Sequence, residues 1–184
     1  FGGGIYAGGG IISNCIVSYN AAHAGGGVYL TDNCLVMDSD LLDNIASNLG
    51  GGAYCDYSGT LLNCDIKRND SSVLHGGGVY LSSGGSVRRC TVSDNVAGSS
   101  GGGAYLGSGG MLSGCILEDN SAAYGGGAYL RSGGMLSDCI IEDNSATYDG
   151  GGARMLHEGT LVNCVFSGNT ATYRGGGVDM LNSV

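Results

Sequence analysis

Proline and tryptophan are absent from this chain of 184 residues, and lysine and arginine together number only seven. The lack of proline removes one half of a collagen-like composition. The other half fails too, because the glycines do not fall at every third position. Against 16 acidic residues, the few basic ones leave a formal net charge of −9. Nothing forms a basic stripe, so nucleic acid is not an expected partner. An acidic balance suits solubility and divalent cations, and says nothing about fold. No run approaches the roughly 18 consecutive apolar residues that cross a membrane, so this segment carries no membrane span. The CxxC and Cys–His spacings that suggest zinc are missing as well. The chain begins at Phe1 without a signal-peptide pattern, and it opens and closes inside a repeat. It reads as a piece of a longer protein, with any leader or anchor outside it.

Glycine is abundant, at 39 residues, and 42% of the chain is hydrophobic, enough to build a core. The glycines come in triplets beginning at Gly2, Gly25, Gly50, Gly76, Gly101, Gly125, Gly150 and Gly175, in steps of 23 to 26 residues. Two consecutive copies, "MLSGCILEDNSAAYGGGAYL" from 111 and "MLSDCIIEDNSATYDGGGA" from 135, show the unit plainly. A second landmark recurs without a gap: Asn20, Asn44, Asn69, Asn95, Asn120, Asn144 and Asn169. Five residues before each stands Cys15, Ser39, Cys64, Cys90, Cys115, Cys139 or Cys164. Three residues before each Asn there is an aliphatic residue or Phe166.

A glycine triplet breaks any helix, and helical repeats need longer units. The spacing of leucine-rich repeats is absent. A parallel β-helix remains, each repeat forming one coil of short strands separated by turns. The pattern after each triplet agrees: small, usually Tyr, then apolar. Period two puts the first and third residues inward and the Tyr outward. A second strand is expected to hold the Cys and the aliphatic residue two places on. The aliphatic residue three before the Cys is out of phase, which implies a bend. The expected fold is therefore all-β, a right-handed parallel β-helix of about seven coils spanning residues 1–184 as a single unit. At the usual strand spacing its length is on the order of 34 Å.

"FSGN" at 166–169 followed by "GGGV" resembles the paired FxxN and GGA motifs of polymorphic outer-membrane autotransporter passengers. Looser forms are "VSYN", "LLDN", "IKRN", "VSDN", "LEDN" and "IEDN". The whole chain also resembles the glycine-rich right-handed β-helix repeats of large bacterial surface proteins, in the pectin-lyase-like fold group. That resemblance implies the handedness, an extracellular or bacterial cell-surface location, and motifs that are structural. It carries over no catalytic residue.

Four sets of residues are candidates for chemistry or architecture. Cys15, Cys64, Cys90, Cys115, Cys139 and Cys164 form one inward ladder, read as stacked buried hydrophobes. Cys34 and Cys55, off that ladder on adjacent coils, are close enough to pair. The seven asparagines form a second ladder, hydrogen-bonding rung to rung and to the turns. Tyr6, Tyr29, Tyr54, Tyr80, Tyr105 and Tyr129 form an outward stripe, which either stacks on sugars or another chain or covers itself. It ends where Arg154 and Asp179 take the slot. Glu118, Asp119, Glu142 and Asp143 stack like charges at rung spacing. Either Ca²⁺ relieves that repulsion or the edge is simply solvated. No other cofactor is expected.

Catalysis has thin support. Lys67, Arg68, Arg88 and Arg89 make a basic spot near Asp65 and Asp70, and His23, His75 and His157 lie on distant coils. The coils are too uniform to build a cleft wall, which favours a scaffold. The leading expectation is a non-enzymatic structural or adhesive segment of a bacterial surface or secreted protein. One alternative is a self-assembling fibre subunit stacking head to tail. The other is a β-helix that binds or degrades polysaccharide. Expected partners are copies of the chain, surface glycans or a host protein.

Overall fold

The computed structural model describes residues 1–181, so the last part of the single unit expected over 1–184 lies outside the described residues. Among the described residues there are strands and turns but no helix. One coil shows the plan. Strands Ala104–Ser108, Met111–Ser113, Ile116–Glu118 and Ser121–Tyr124 follow one another around the tube. Each pairs in parallel with its equivalents one repeat before and after. Ala104–Ser108, for example, lies between Val79–Ser83 and Ala128–Leu130. The result is four parallel sheets, one of eight strands and three of seven. The chain is a parallel β-solenoid of about seven coils, as the period of the glycine triplets requires.

Strand alternation fills the tube. Ala104 and Leu106 are fully buried in the first sheet, as are Leu112 in the second and Leu117 in the third. Register carries the same residue type along the axis. Leu81, Leu106 and Leu130 are successive rungs of one column. Val87, Leu112 and Leu136 make another, and Val92, Leu117 and Ile141 a third. Removing one such aliphatic side chain from water stabilises the fold by about 2 kcal/mol. One coil has no second layer to bury these residues against, so the core exists only between neighbours.

The corners explain the spacing of the sequence landmarks. Before each Cys of the ladder, and before Ser39, a residue adopts a left-handed conformation, such as Asn63 at φ 54°, Arg89 at 52° and Gly114 at 61°. The same occurs before each ladder Asn: Asp94 at 55°, Asp119 at 54°, Asp143 at 53° and Gly168 at 66°. Asn, Asp and Gly tolerate this region best. Each left-handed residue reverses the strand phase and sends the next side chain inward. The bend expected before the cysteine is therefore present. The cysteine itself was expected within the second strand, yet it stands at the corner. Cys115 lies between Met111–Ser113 and Ile116–Glu118.

The inward corner residues are hydrogen-bonded to the bends they occupy. The backbone N–H and Nδ2 of Asn95 both donate to Oδ1 of Asn120 at 3.0 Å, and Nδ2 also donates to the Ile66 carbonyl at 2.9 Å. Asn69 donates the same pair into Oδ1 of Asn95, at 2.9 and 3.0 Å. The pattern runs in one direction from Asn20 to Asn169. At the other corner the thiols do simpler work. Sγ of Cys90 donates to the Arg88 carbonyl at 3.2 Å, and Sγ of Cys115 to the Val87 carbonyl at 3.3 Å. Ser39 fills the slot equally well. Its Oγ donates to the Met37 carbonyl at 2.7 Å and accepts from the Cys15 N–H at 3.1 Å.

All eight cysteines are free thiols. The pairing expected for Cys34 and Cys55 is not made. Cys34 instead donates to the carbonyls of Thr31 and Ala7, at 3.0 and 3.1 Å. Burial, reinforced by Cys34, pushes the Cys55 thiol up to about 12, so it carries no thiolate near neutral pH. Six of the eight cysteines are buried, whereas Cys15 and Cys164 are partly exposed. An aromatic disulfide reagent should therefore titrate two thiols quickly in the native chain and all eight in denaturant. Eight fast thiols without denaturant would contradict the buried ladder.

Candidate functional site

The first sheet places the tyrosines in one outward column, in the register Tyr54, Tyr80, Tyr105, Tyr129. From Tyr6 to Tyr129 neighbouring rings stack with centroids 5.4, 4.6, 5.1, 4.9 and 5.2 Å apart and planes within 10° of parallel. This is not an open stripe. Each ring covers the next, and Tyr29 and Tyr105 are only 7% and 3% exposed. Tyr6, at the end of the stack, is 59% exposed. A sugar needs a free aromatic face to stack on, and between Tyr6 and Tyr129 the facing sides are occupied by other rings. What the column offers outward is ring edges and hydroxyls. Burial, aided by neighbouring phenols, pushes Tyr80 up to about 12. Tyr29 also rises to about 12, through burial and then Asp56. These hydroxyls stay protonated and able to donate.

The column changes chemistry above Tyr129, where the next slots hold Arg154 and then Asp179. The Arg154 guanidinium sits 4.4 Å over the Tyr124 ring. It pairs with Asp149 at 3.0 Å and Asp179 at 3.3 Å. Arg174 joins from outside, with Nη2 3.1 Å from Asp149. The Asp149 and Asp179 side chains are each only 8% exposed. The repeat spacing shows the loss of Tyr here but not this network. The signal was the opposite charge of Arg154 and Asp179 on adjacent rungs.

Hydrogen bonding from Arg174, followed by the charges of Arg154 and Arg174, holds the Asp149 carboxyl below its ordinary range. A depressed native pKa means that protons bind more readily to the unfolded chain. The contribution is thus complete above the unfolded value near 4 and is lost as pH falls through the lower native value. Thermal melts should show wild type losing its advantage over Asp149→Asn below about pH 4. A gap between the two that persists unchanged as the pH is lowered through the acid range would contradict the pairing.

The acidic edge is a set of pairs. Glu118 and Glu142 are in register on adjacent strands. Asp119 and Asp143 owe their positions to the left-handed backbone at the corner, φ 54° and 53°. Asp94, one rung below, is paired with Lys67 at 3.0 Å. Among the described residues no three His, Cys, Asp or Glu side chains converge as a metal cage would require. The expected Ca²⁺ position is therefore a line of turn residues and register neighbours.

The basic spot is likewise dispersed. Arg68 is engaged by Asp43, with Nε donating to Oδ1 and Nη2 to Oδ2, both at 2.8 Å. Arg88 and Arg89 line a separate shallow hollow with Asp138. His23 is hydrogen-bonded within its own neighbourhood, to Ser47 and Asn48, while His75 stacks on Tyr105. The contacts of His23 and His75 are thus with residues outside the basic spot.

Four parallel sheets, columns of mostly like residues and polar corner ladders define a β-solenoid whose site-like residues are mostly committed to one another. The family model for the right handed beta helix region matches residues 44–184, and the chain belongs to that family. No curated protein and no solved structure matches the chain. The family includes both enzymes and non-enzymes.

Proposed function

We propose that this chain is a non-enzymatic structural or adhesive segment of an extracellular or bacterial cell-surface protein. The observation that carries the reading is the fate of its polar groups. The asparagines bond to each other and to the corners, the tyrosines stack, and most of the basic side chains pair with carboxylates. Such an arrangement spends side chains on rigidity and register. In this role the chain would engage a second copy, a surface glycan or a host protein. Surface biotinylation of the source cells should label the protein. The purified chain should release neither reducing ends nor unsaturated sugars from acidic polysaccharides. Sustained release of either product would overturn the non-enzymatic reading.

Head-to-tail stacking is the second reading, favoured by the direction of the asparagine column. Oδ1 of Asn20 is an acceptor facing away from Asn44, and the N–H of Asn169 is a donor facing away from Asn144. A further rung at either side, from more repeats of the same polypeptide or from another copy, would extend the ladder. Electron microscopy across a concentration series separates these sources. Filaments that grow with concentration support stacking of copies, and isolated rods at every concentration refute it.

A further inference from the structure

A hollow of about 460 Å³ opens beside the upper end of the tyrosine stack. Its lining includes His75, Tyr105, Tyr124, Tyr129, Arg131 and Arg154, drawn from several neighbouring coils. That volume suits a small ligand. We propose that this hollow binds a compact oxyanion, a phosphate or sulfate group, with Arg131 as its principal charge partner. The inference does not depend on the structural role proposed above.

Four observations support it. The first is that Arg131 is exposed and, among the described residues, has no carboxylate within ion-pair distance. Lys67, Arg68, Arg154 and Arg174 all have one. Arg88 and Arg89 share that lack of a partner but lie in the separate hollow that also holds Asp138. Arg131 is thus the guanidinium that is both unneutralised and set against aromatic walls.

The second is the local balance of charge. The lining of the hollow carries two guanidinium groups, Arg131 and Arg154, and no carboxylate. A net positive spot results, on a chain whose overall charge is −9. It stands against low-dielectric walls, where a charge acts more strongly than on an open surface.

The third is an unmet hydrogen-bonding group. Nδ1 of His75 is buried and has no partner. The ring stacks on Tyr105, with centroids 4.6 Å apart, which fixes its plane. Burial, and after it the Arg131 charge, hold the imidazole below its ordinary pKa, so the ring is neutral near pH 7. A neutral imidazole with one orphaned nitrogen carries a polar cost until something bonds to it.

The fourth is the chemistry of the lining. Guanidinium groups donate only, and phenols kept protonated by burial can donate. Burial raises the pKa values of both Tyr105 and Tyr129. A lining dominated by donors selects a group that only accepts, and tetrahedral oxyanions present several acceptor oxygens at once. Asp149 and Asp179 do not compete for Arg131, because they are held by Arg154 and Arg174.

The test uses the whole chain and the imidazole signals of His75 in NMR, titrated at low ionic strength with inorganic phosphate and, separately, sulfate. The expected result is a saturating shift of His75. Arg131→Gln should weaken binding about tenfold or more, the loss of one charge-assisted contact. Arg88→Gln, which removes an equally unpaired arginine elsewhere, should leave the affinity unchanged. Both positions are exposed, so both variants should keep the wild-type melting temperature, which is checked first. Methyl phosphate then distinguishes sources. Tighter binding than inorganic phosphate assigns the hollow to an ester group on a larger molecule, and equal or weaker binding to the free ion. No saturation at His75, or equal loss in the two arginine variants, would overturn the site.

Discussion

Asn95→Ala should destabilise the chain by about 4 kcal/mol, one of the two largest effects expected of any single change here. The side chain is fully buried. Its removal leaves the Asn69 N–H and Nδ2, which both donate to Oδ1 of Asn95, without their acceptor. It also strips one donor from the Ile66 carbonyl and one from Oδ1 of Asn120. A buried polar group left unpaired costs about 1–3 kcal/mol, and here more than one is affected. Asn95→Asp should be comparably harmful, because a carboxylate accepts from Asn69 but cannot donate onward. Urea unfolding gives the measurement. The midpoint should fall while the slope stays unchanged, as expected for a loss of stability without a change in exposed surface. A loss under about 1 kcal/mol would mean that water enters the corner and replaces the amide.

Gly102→Ala should prevent folding altogether or cost more than about 4 kcal/mol. The reason is steric rather than conformational. A Cβ at Gly102 would stand 2.5 Å from the Ser121 carbonyl oxygen and would also collide with the carbonyl of Gly126. Both are backbone atoms held in the ladder, so neither can swing aside. Gly109→Ala is the informative contrast. Gly109 has φ +69° and no atom within 4 Å of the added methyl. Only the left-handed penalty of about 1–2 kcal/mol applies there. Circular dichroism and protease resistance of the two variants should differ sharply. Equal behaviour would show that the triplets serve backbone freedom alone rather than the close approach of successive coils.

The period of 23 to 26 residues and the alternation after each triplet are enough to assign a parallel solenoid. The columns followed, because in-register stacking turns a repeat position into a row of identical neighbours. The corners were less legible. A Cys two residues before an aliphatic looks like one face of a strand. In fact the left-handed residue ahead of it, Arg89 or Gly114, ends one strand and starts the next. Left-handed backbone has no reliable sequence mark when Arg or Tyr adopts it, as Arg68 and Tyr19 do. Where Asp occupies such a position, as at 119 and 143, the left-handed backbone by itself gives a reason for the residue type. For the tyrosines, alternation sends the side chains outward, and the near-parallel stacking of rings in register matches the self-covering reading of the stripe. The ion network around Asp149 needed contacts across coils, between residues such as Asp149 and Arg174 that share no repeat position with Arg154.

The direction of the hydrogen bonds has a mechanical consequence. Strand ladders join each coil to the next, so the bonds lie along the tube axis. A pull applied at the two chain ends along that axis loads each interface in series. In the 184-residue chain taken alone, an end coil is bonded on one side only and should yield first and peel away. Each detached coil frees about 25 residues, or roughly 85 Å of extended chain. A single molecule stretched from its ends should therefore lengthen in near-equal steps of that size, rather than in one event.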